Sequence, residues 1–335
     1  MRSDELDYTL PPELIAQSAA EPRDSARLLV LDRSDGAVGH RVFRDLPEQL
    51  AEGDLLVVND TRVLPVRVRA RRATGGAVEV LLLEPAGDGL WQALVRPYRR
   101  LGEGETVAAG PLGLTIEQRL GEGRVLVRPH APGTLEAALE EVGEMPLPPY
   151  ITAPLDDPGR YQTVYARLAG SAAAPTAGLH FTHELWQRIS ARHEIVPLTL
   201  DVGLDTFRPL QADVVEEHPI HSERYRMPAA TAASVERALT EGRRVVAVGT
   251  TTVRVLETVF GEPRAELEGR TRLLITPGHR FRATGGLVTN FHLPRSSLLA
   301  LVMAFAGVER TRDLYRTAVH ERYRFYSFGD ATLIL

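Results

Sequence analysis

The sequence contains neither cysteine nor lysine, and each absence closes off chemistry. Without thiols there is no disulfide, thiolate nucleophile, iron–sulfur cluster or cysteine-ligated zinc. Without lysine there is no Schiff-base amine and no phosphate-gripping ammonium of a Walker loop. All 39 basic side chains of the Lys+Arg total are arginines, so arginine fills every position where either cation would serve, and its clusters carry less meaning than usual. Long apolar runs are also missing. The longest, residues 298–306, is far below the roughly 20 residues that a membrane-spanning helix needs. Residues 1–10 are acidic and polar, unlike a leader with a basic start and an apolar centre, so no membrane association and a cytoplasmic location are expected. The formal net charge of -5 means that a nucleic acid would have to be met by a local basic patch.

What is present describes a packed protein. A length of 335 residues suggests about two domains, and 44% hydrophobic with 25% charged residues is ordinary for a folded chain. Residues 27–31 and 54–58 are leucine- and valine-rich runs ending in polar turns, which predicts buried strands. From residue 63 the texture changes: 66–72 alternates apolar residues with Arg, Gly75-Gly76 marks a turn, and 78–83 returns. Further short runs at 91–95, 114–116 and 124–127 make residues 63–145 an all-β module, predicted as a small barrel and closed by Pro146-Leu147-Pro148-Pro149. Beyond that hinge, helix and strand alternate. Thr182 can cap a helix with Leu185, Trp186 and Ile189 on one side, 195–202 reads as a strand, Ala232, Val235, Ala238 and Leu239 share a helical face, and 244–248 is a buried strand. The economical organisation is a discontinuous α/β domain, residues 1–62 and 146–335, with the barrel of residues 63–145 inserted.

Four polar turns could carry chemistry. Asn59-Asp60-Thr61-Arg62 follows a buried strand, where open α/β sheets hold ligands, although the same trio also makes ordinary turns. Gly249-Thr250-Thr251-Thr252 would bring hydroxyls and free N–H groups to a helix start, as an anion site or as a simple cap; Arg254 in the first turn disfavours pure capping. The stretch 174–181, Ala-Pro-Thr-Ala-Gly-Leu-His-Phe, combines small residues around Thr176 with the imidazole of His180, which is more often structural than catalytic. In 289–297, Ser296 or Ser297 caps the following apolar helix, which leaves Asn290 and His292 unexplained.

Other signals are weaker. His180-x-x-His183 and His218-x-x-His221, with Glu223 nearby, do not make a metal site, because Pro219 keeps the second pair off a regular helical face and no carboxylate cluster completes the set. The usual signatures of zinc hydrolases, serine esterases and dinucleotide-binding folds are absent. Arg67, Arg69 and Arg71 share a face of the first barrel strand, and Arg96, Arg99 and Arg100 surround Pro97-Tyr98. Such groups suit RNA phosphates and a stacked base, although a solvated face is the commoner meaning.

Taken together, several blocks resemble the S-adenosylmethionine:tRNA ribosyltransferase-isomerase family of queuosine biosynthesis. They are Tyr8-x-Leu10-Pro11-x-Glu13-Leu14-Ile15-Ala16-Gln17, Asn59-Asp60-Thr61-Arg62-Val63, Gly76-x-Val78-Glu79-Val80-Leu81-Leu82, Arg160-Tyr161-Gln162-Thr163-Val164-Tyr165, residues 174–181, Thr206-Phe207-Arg208-Pro209, His221-Ser222-Glu223, Gly249-Thr250-Thr251, residues 289–294 and Arg322-Tyr323-Arg324-Phe325. The resemblance implies an α/β domain with an inserted β-barrel. It also implies a reaction in which the ribosyl part of S-adenosylmethionine (AdoMet) is moved onto 7-aminomethyl-7-deazaguanine (preQ1) at the tRNA wobble position and isomerised to epoxyqueuosine, with release of adenine and methionine. AdoMet is then a co-substrate, no metal or redox cofactor is needed, tRNA is the partner, and a monomer without an obligate protein partner is expected.

Such chemistry needs an alkylammonium with a pKa of about 10 to lose a proton, and departing adenine to gain one. The acid–base candidates are His180, His221, Glu223 and Asp201. Asn59 and Asp60 are candidates for ribose or adenine, Thr250, Thr251 and Arg254 for the methionine carboxylate, and Thr176, Asn290 and His292 for further AdoMet contacts. Arg62, Arg208, Arg324, Arg67 and Arg69 are candidates for RNA. One departure stands out: where the family usually reads Thr-Leu-His-Val-Gly-x-Gly-Thr-Phe, this chain has Asp201 and Asp205 in place of the His and the second Gly. Either that His is dispensable, or Asp201 takes a related proton-handling part, or the chain is a diverged paralogue with another acceptor. A noncatalytic RNA-binding protein and an AdoMet lyase are the competing classes.

Overall fold

Strand β1 (Arg27–Leu31), strand β2 (Val38–Val42), the short helix α1 (Leu46–Gln49) and strand β3 (Leu55–Asn59) open the chain. Every residue of β3 is buried, which is why its sequence runs apolar without alternation: it is covered on both faces. The computed structural model describes residues 1–155, 157–203, 210, 212–220 and 222–335. These divide into two units, Met1–Thr61 with Pro149–Leu168 and Ala174–Leu335, and Arg62–Pro148 with Ala169–Ala173. The small segment 169–173, read in the sequence as part of the α/β region, groups with the second unit.

After the short strand β4 (Thr61–Val63), the second unit contains β5 (Arg67–Arg72), β6 (Ala77–Gly87), β7 (Leu90–Arg96), β8 (Thr106–Ala109), β9 (Leu112–Gly121) and β10 (Arg124–His130). Helix α2 (Leu135–Val142), capped by Thr134, and the two-residue strand β11 (Gly143–Glu144) follow. The antiparallel order β5-β6-β7-β10-β9-β8 closes through a β8–β5 pairing, so six strands form the predicted barrel and β11 adds to the outside of β5. Closure leaves no open edge among the six. Val68, Ala70, Val80, Val95, Leu114 and Val127 fill its interior, and the alternation of β5 turns Arg67, Arg69 and Arg71 outward.

Following β12 (Leu168–Ser171), the first unit adds α3 (His183–Ser190), β13 (Glu194–Leu200), β14 (Glu223–Arg226), α4 (Ala229–Thr240), β15 (Val245–Val248), α5 (Thr250–Val259), β16 (Glu268–Thr271), β17 (Gly286–Asn290), α6 (Ser297–Ala306), α7 (Val308–His320) and β18 (Ala331–Ile334). Nine of its strands form one sheet in the order β16-β14-β13-β3-β15-β17-β18-β1-β2. The centre, β13-β3-β15-β17, is parallel, and β18 is inserted between β17 and β1, antiparallel to the former and parallel to the latter. Leu56, Val58, Val246, Val248, Val288 and Leu333 share one core with Phe43, Phe181, Leu185 and Ile189, while α4 and α5 pack on β13 and β15. Thr182 and Ser296 cap α3 and α6 through hydrogen bonds of 3.1 Å and 3.2 Å, as their positions in the sequence predict. Leu239 departs from expectation. It is 37% exposed, because the buried face of α4 runs through Thr231, Ala232, Ser234, Val235 and Ala238.

Candidate active site

Val248 is in register with both Val58 and Val288, so the carboxyl ends of β3, β15 and β17 lie level. This is the edge at which open α/β sheets hold ligands. A cleft partly open to solvent lies there, at the strand ends where α/β folds hold small molecules. Gly249, Thr250 and Thr251 line it from the start of α5; Thr289 and Asn290 line it from the end of β17, and His292 and Ser296 from the segment that follows; Thr176 and Ala177 come from the turn before α3. Gly249 precedes the helix at a φ of 92°, which suits glycine, and no side chain caps the helix. The first turn holds no acid, so its positive end is free to meet an anion. Thr252 turns inward and donates to the Val248 carbonyl at 2.7 Å, leaving Thr250 and Thr251 for the cleft.

Tyr150 and Tyr326 form an aromatic wall, with ring centroids 4.2 Å apart at 46°. Tyr150 shares a 2.6 Å hydrogen bond with Ser327, and burial pushes both phenols upward so that they stay protonated. Tyr326 has a φ of 74°, the left-handed region that bulky residues avoid, at a cost of about 1–3 kcal/mol.

Asn290 organises the floor. Its side-chain oxygen accepts from Thr176 at 2.9 Å, and its Nδ2 donates to the Tyr326 carbonyl at 3.1 Å and faces His180 Nε2 at 3.2 Å. An amide nitrogen only donates, so His180 accepts at Nε2 and carries its proton on Nδ1. Burial, aided by Arg324 and Arg23, pushes His180 down to about 3, and burial does the same to His292. Both imidazoles are therefore neutral near pH 7. His180 is thus held as a hydrogen-bond acceptor behind Asn290. His292 Nε2 meets the Thr289 hydroxyl at 2.9 Å, and its backbone is held by Tyr8, which donates to its carbonyl at 2.5 Å, and by Tyr315, which accepts from its N–H at 3.0 Å.

The Asn59-Asp60-Thr61 turn acts as a clamp. Asn59 exchanges two hydrogen bonds with the Leu200 backbone, at 3.1 Å and 3.0 Å, and its Nδ2 reaches Thr251 at 3.3 Å. Asp60 accepts from Thr199 at 2.6 Å and from Arg167 at 2.8 Å, and Thr61 hydrogen-bonds Asp201. Three consecutive residues thus grip residues 199–201, and Val202, the next one, lines the cleft. Asn59 touches the cleft through Thr251; Asp60 is consumed by its partners. Burial pushes the Asp201 carboxyl up, and Glu223 adds to that, against Arg224, the Thr61 hydrogen bond and Arg270.

Glu223 and Arg254 lie apart from this cleft. They form a buried ion pair; Glu223 also accepts from the Gly203 N–H at 3.2 Å, and Arg254 donates to the Leu273 carbonyl at 3.0 Å. Neither lines the cleft, so Arg254 does not join Thr250 and Thr251 there, nor does Glu223 join His180. His221, Arg208 and Asp205 lie outside the described residues. His183 is exposed on α3 while His180 is buried, so the first His pair does not converge, and among the described residues no group of three His, Asp or Glu side chains is gathered for a metal.

On the barrel, Arg62 pairs with Glu140 and Arg69 with Glu144 at 2.7 Å, while Arg67 is half-buried. Tyr98 already carries the Arg119 guanidinium 4.2 Å from its ring centre, so one of its faces is taken. In the α/β unit, Arg324 pairs with Asp330 at 3.7 Å and donates to the Ser18 carbonyl at 3.2 Å. Sequence reasoning missed Tyr150, Tyr326 and Ser327. The available signal was aromatic density beside a recognised block, Tyr323-Arg324-Phe325-Tyr326, in a chain with only 6% aromatic residues.

Comparison with known proteins gives one answer. The sequence model of the family described as queuosine biosynthesis protein matches residues 3–334. An S-adenosylmethionine:tRNA ribosyltransferase-isomerase of Symbiobacterium thermophilum is 52% identical over 343 aligned positions, with 100% of both chains covered. A protein of the same name from Rubrobacter xylanophilus is also 52% identical, covering 100% of this chain and 98% of its own length. The crystal structure of an S-adenosylmethionine tRNA ribosyltransferase from Thermotoga maritima is similar, with 37% identity, a TM-score of 0.57 and coverage of 99% of this chain and 100% of that one.

Proposed function

The chain belongs to the queuosine biosynthesis protein family, and we propose that it transfers and isomerises the ribosyl part of AdoMet onto preQ1 at the tRNA wobble position, giving epoxyqueuosine with release of adenine and methionine. The observation that carries this reading is the chemical division of the cleft, with an uncapped helix start bearing Thr250 and Thr251 at one wall and the Tyr150–Tyr326 pair at another. AdoMet has that same division, an amino acid carboxylate at one end and a flat purine at the other. The N–H groups of α5 and the two threonine hydroxyls take the carboxylate, Tyr150 offers the purine an apolar face with Tyr326 beside it, and Thr176, held by Asn290, faces the ribose.

Proton handling falls to Asp201. Its raised carboxyl pKa moves it toward the range in which an acid can both give and take a proton, and it directly precedes the cleft residue Val202. An acid here also agrees with its standing where the family usually has a histidine. The reading needs no metal or redox group. Outward arginines of the barrel, Arg67, Arg69 and Arg71, together with Arg62 and Arg324, are the proposed RNA contacts, and a cytoplasmic location follows from a tRNA substrate.

The test is incubation with AdoMet and tRNA bearing preQ1, with adenine release and the mass of the RNA both followed. Adenine release coupled to a heavier RNA is the expected result. Adenine release of equal rate without RNA would make the protein a lyase, and no release with either would refute the reading. For Asp201→Asn, kcat falls about 10²–10⁴-fold while AdoMet binding is kept; unchanged turnover removes Asp201 from the mechanism.

A further inference from the structure

Tyr326 is held in its unusual backbone conformation from several sides. The Asn290 amide donates to its carbonyl at 3.1 Å, the Gly329 N–H donates to the same oxygen at 2.9 Å, and its own N–H donates to the Phe291 carbonyl at 3.1 Å. The turn that presents it is pinned by Asp330, which accepts from the Arg324 N–H and the Arg27 N–H at 2.8 Å and 2.9 Å. Gly329 admits no side chain, since a Cβ would stand 2.4 Å from the Arg324 carbonyl oxygen. A left-handed aromatic residue secured in this way marks a position where ring placement outweighs backbone preference.

The hydroxyl at the end of that ring is the unspent part of the wall. Tyr326 is 6% exposed, and its Oη is shielded from water without a hydrogen-bond partner among the described residues. Its neighbours have theirs: Tyr150 bonds Ser327, Tyr8 bonds the His292 carbonyl and Tyr315 accepts from the His292 N–H. A buried donor left unpaired is costly, and it is retained where a ligand supplies the partner. The proton stays in place because burial pushes the phenol upward.

We infer that Tyr326 is a purine-recognising residue of the cleft, whose hydroxyl donates a hydrogen bond to a ring nitrogen of the adenine of AdoMet. The inference rests on the proposed function, because it takes AdoMet as the occupant. It gives the wall selectivity beyond stacking, since a flat apolar surface accepts any aromatic ring and a fixed donor accepts only one with a nitrogen at the right place.

The experiment measures AdoMet affinity by calorimetry for the wild type and Tyr326→Phe, then repeats it with AdoMet analogues in which N1, N3 or N7 of the purine is replaced by carbon. Tyr326→Phe is expected to bind AdoMet about three- to tenfold more weakly, the worth of one hydrogen bond. With one of the three analogues that difference disappears. The variant unfolds at the same temperature or higher, because it loses only an unpaired hydroxyl. Equal AdoMet affinity in both proteins, or an equal penalty with all three analogues, overturns the inference while leaving the proposed function standing. Failure of the wild type to bind AdoMet at all overturns both.

Discussion

Asn290 uses its whole carboxamide on the protein, taking one hydrogen bond from Thr176 and giving two, to Tyr326 and His180. Asn290→Asp replaces both donors by an acceptor that faces a carbonyl and an imidazole nitrogen. It should lose about 1–3 kcal/mol, read as a lower urea midpoint with unchanged m-value, and weaken AdoMet binding in calorimetry. His180 makes a different prediction. Its unfolded value is near 6.5 and its folded value about 3, so the unfolded chain binds more protons between them and stability rises with pH across that window. The stabilisation is complete above about 6.5 and is lost as pH falls toward the folded value. In His180→Gln, thermal unfolding followed from pH 7 to pH 4 should therefore depend less on pH than in the wild type. The residue types at the site were legible in the sequence, but their bonding was not. Asn59 and Asn290 are the only two asparagines in the chain, yet nothing local reveals that one grips a neighbouring strand and the other a histidine 110 residues away.

Among the elements, the grip of residues 59–61 on 199–201 continues the β3–β13 pairing beyond its last ladder position, Leu198 opposite Asn59. The Asn59 amide stands in for backbone there and also ties the start of α5 through Thr251. Asn59→Ala leaves a buried N–H and a buried carbonyl of Leu200 without partners, so it should cost about 1–3 kcal/mol per group and speed amide exchange at Leu200 and Thr251 together, while β5 to β10 exchange as before. Gly178→Ala is expected to fail for a steric reason: the new methyl would sit 2.1 Å from the Tyr165 hydroxyl, whose ring is stacked against Trp186 at 4.6 Å. A lowered melting temperature of that variant, only partly recovered by Tyr165→Phe in the same chain because Thr163 Cγ2 and Tyr165 Cζ still stand 2.8 Å and 2.9 Å from the methyl, would identify the clash. Strands were the most legible elements, since β1 spans the predicted residues 27–31 and β3 lies one residue beyond its predicted span. Leu239 was misread because helical periodicity alone cannot say whether small polar residues such as Thr231 and Ser234 share the buried face; here they do, bonding Pro197 and Glu194.

For the whole molecule, charge sets the expectation. With a net charge of -5 and exposed arginines such as Arg62 and Arg69 already paired to acids, tRNA must be attracted locally and against the overall field. Affinity for tRNA should accordingly fall steeply with salt, as counterion release requires, and AdoMet affinity should hardly change over the same range. Filter binding and calorimetry between 50 and 200 mM salt, about the span in which phosphate contacts show themselves, would check this. Legibility at this scale was uneven. The barrel and the α/β texture follow from period and turn residues, whereas the cleft depends on which strand ends lie level, a matter of register across long separations.

The insertion of β18 between β17 and β1 has a consequence for assembly. Residues 27–31, made early in synthesis, have no parallel neighbour until residues 331–334 arrive, and the Arg27 amide waits across 303 positions for Asp330. Such distant pairings are slow to form. The nascent chain can stack its parallel centre first, but the turn carrying Tyr326 and the seam that joins both halves of the sheet come together last, so a protein shortened by β18 would lose the keystone of the sheet and, with Asp330 no longer followed by a strand, the anchor of the turn behind one wall.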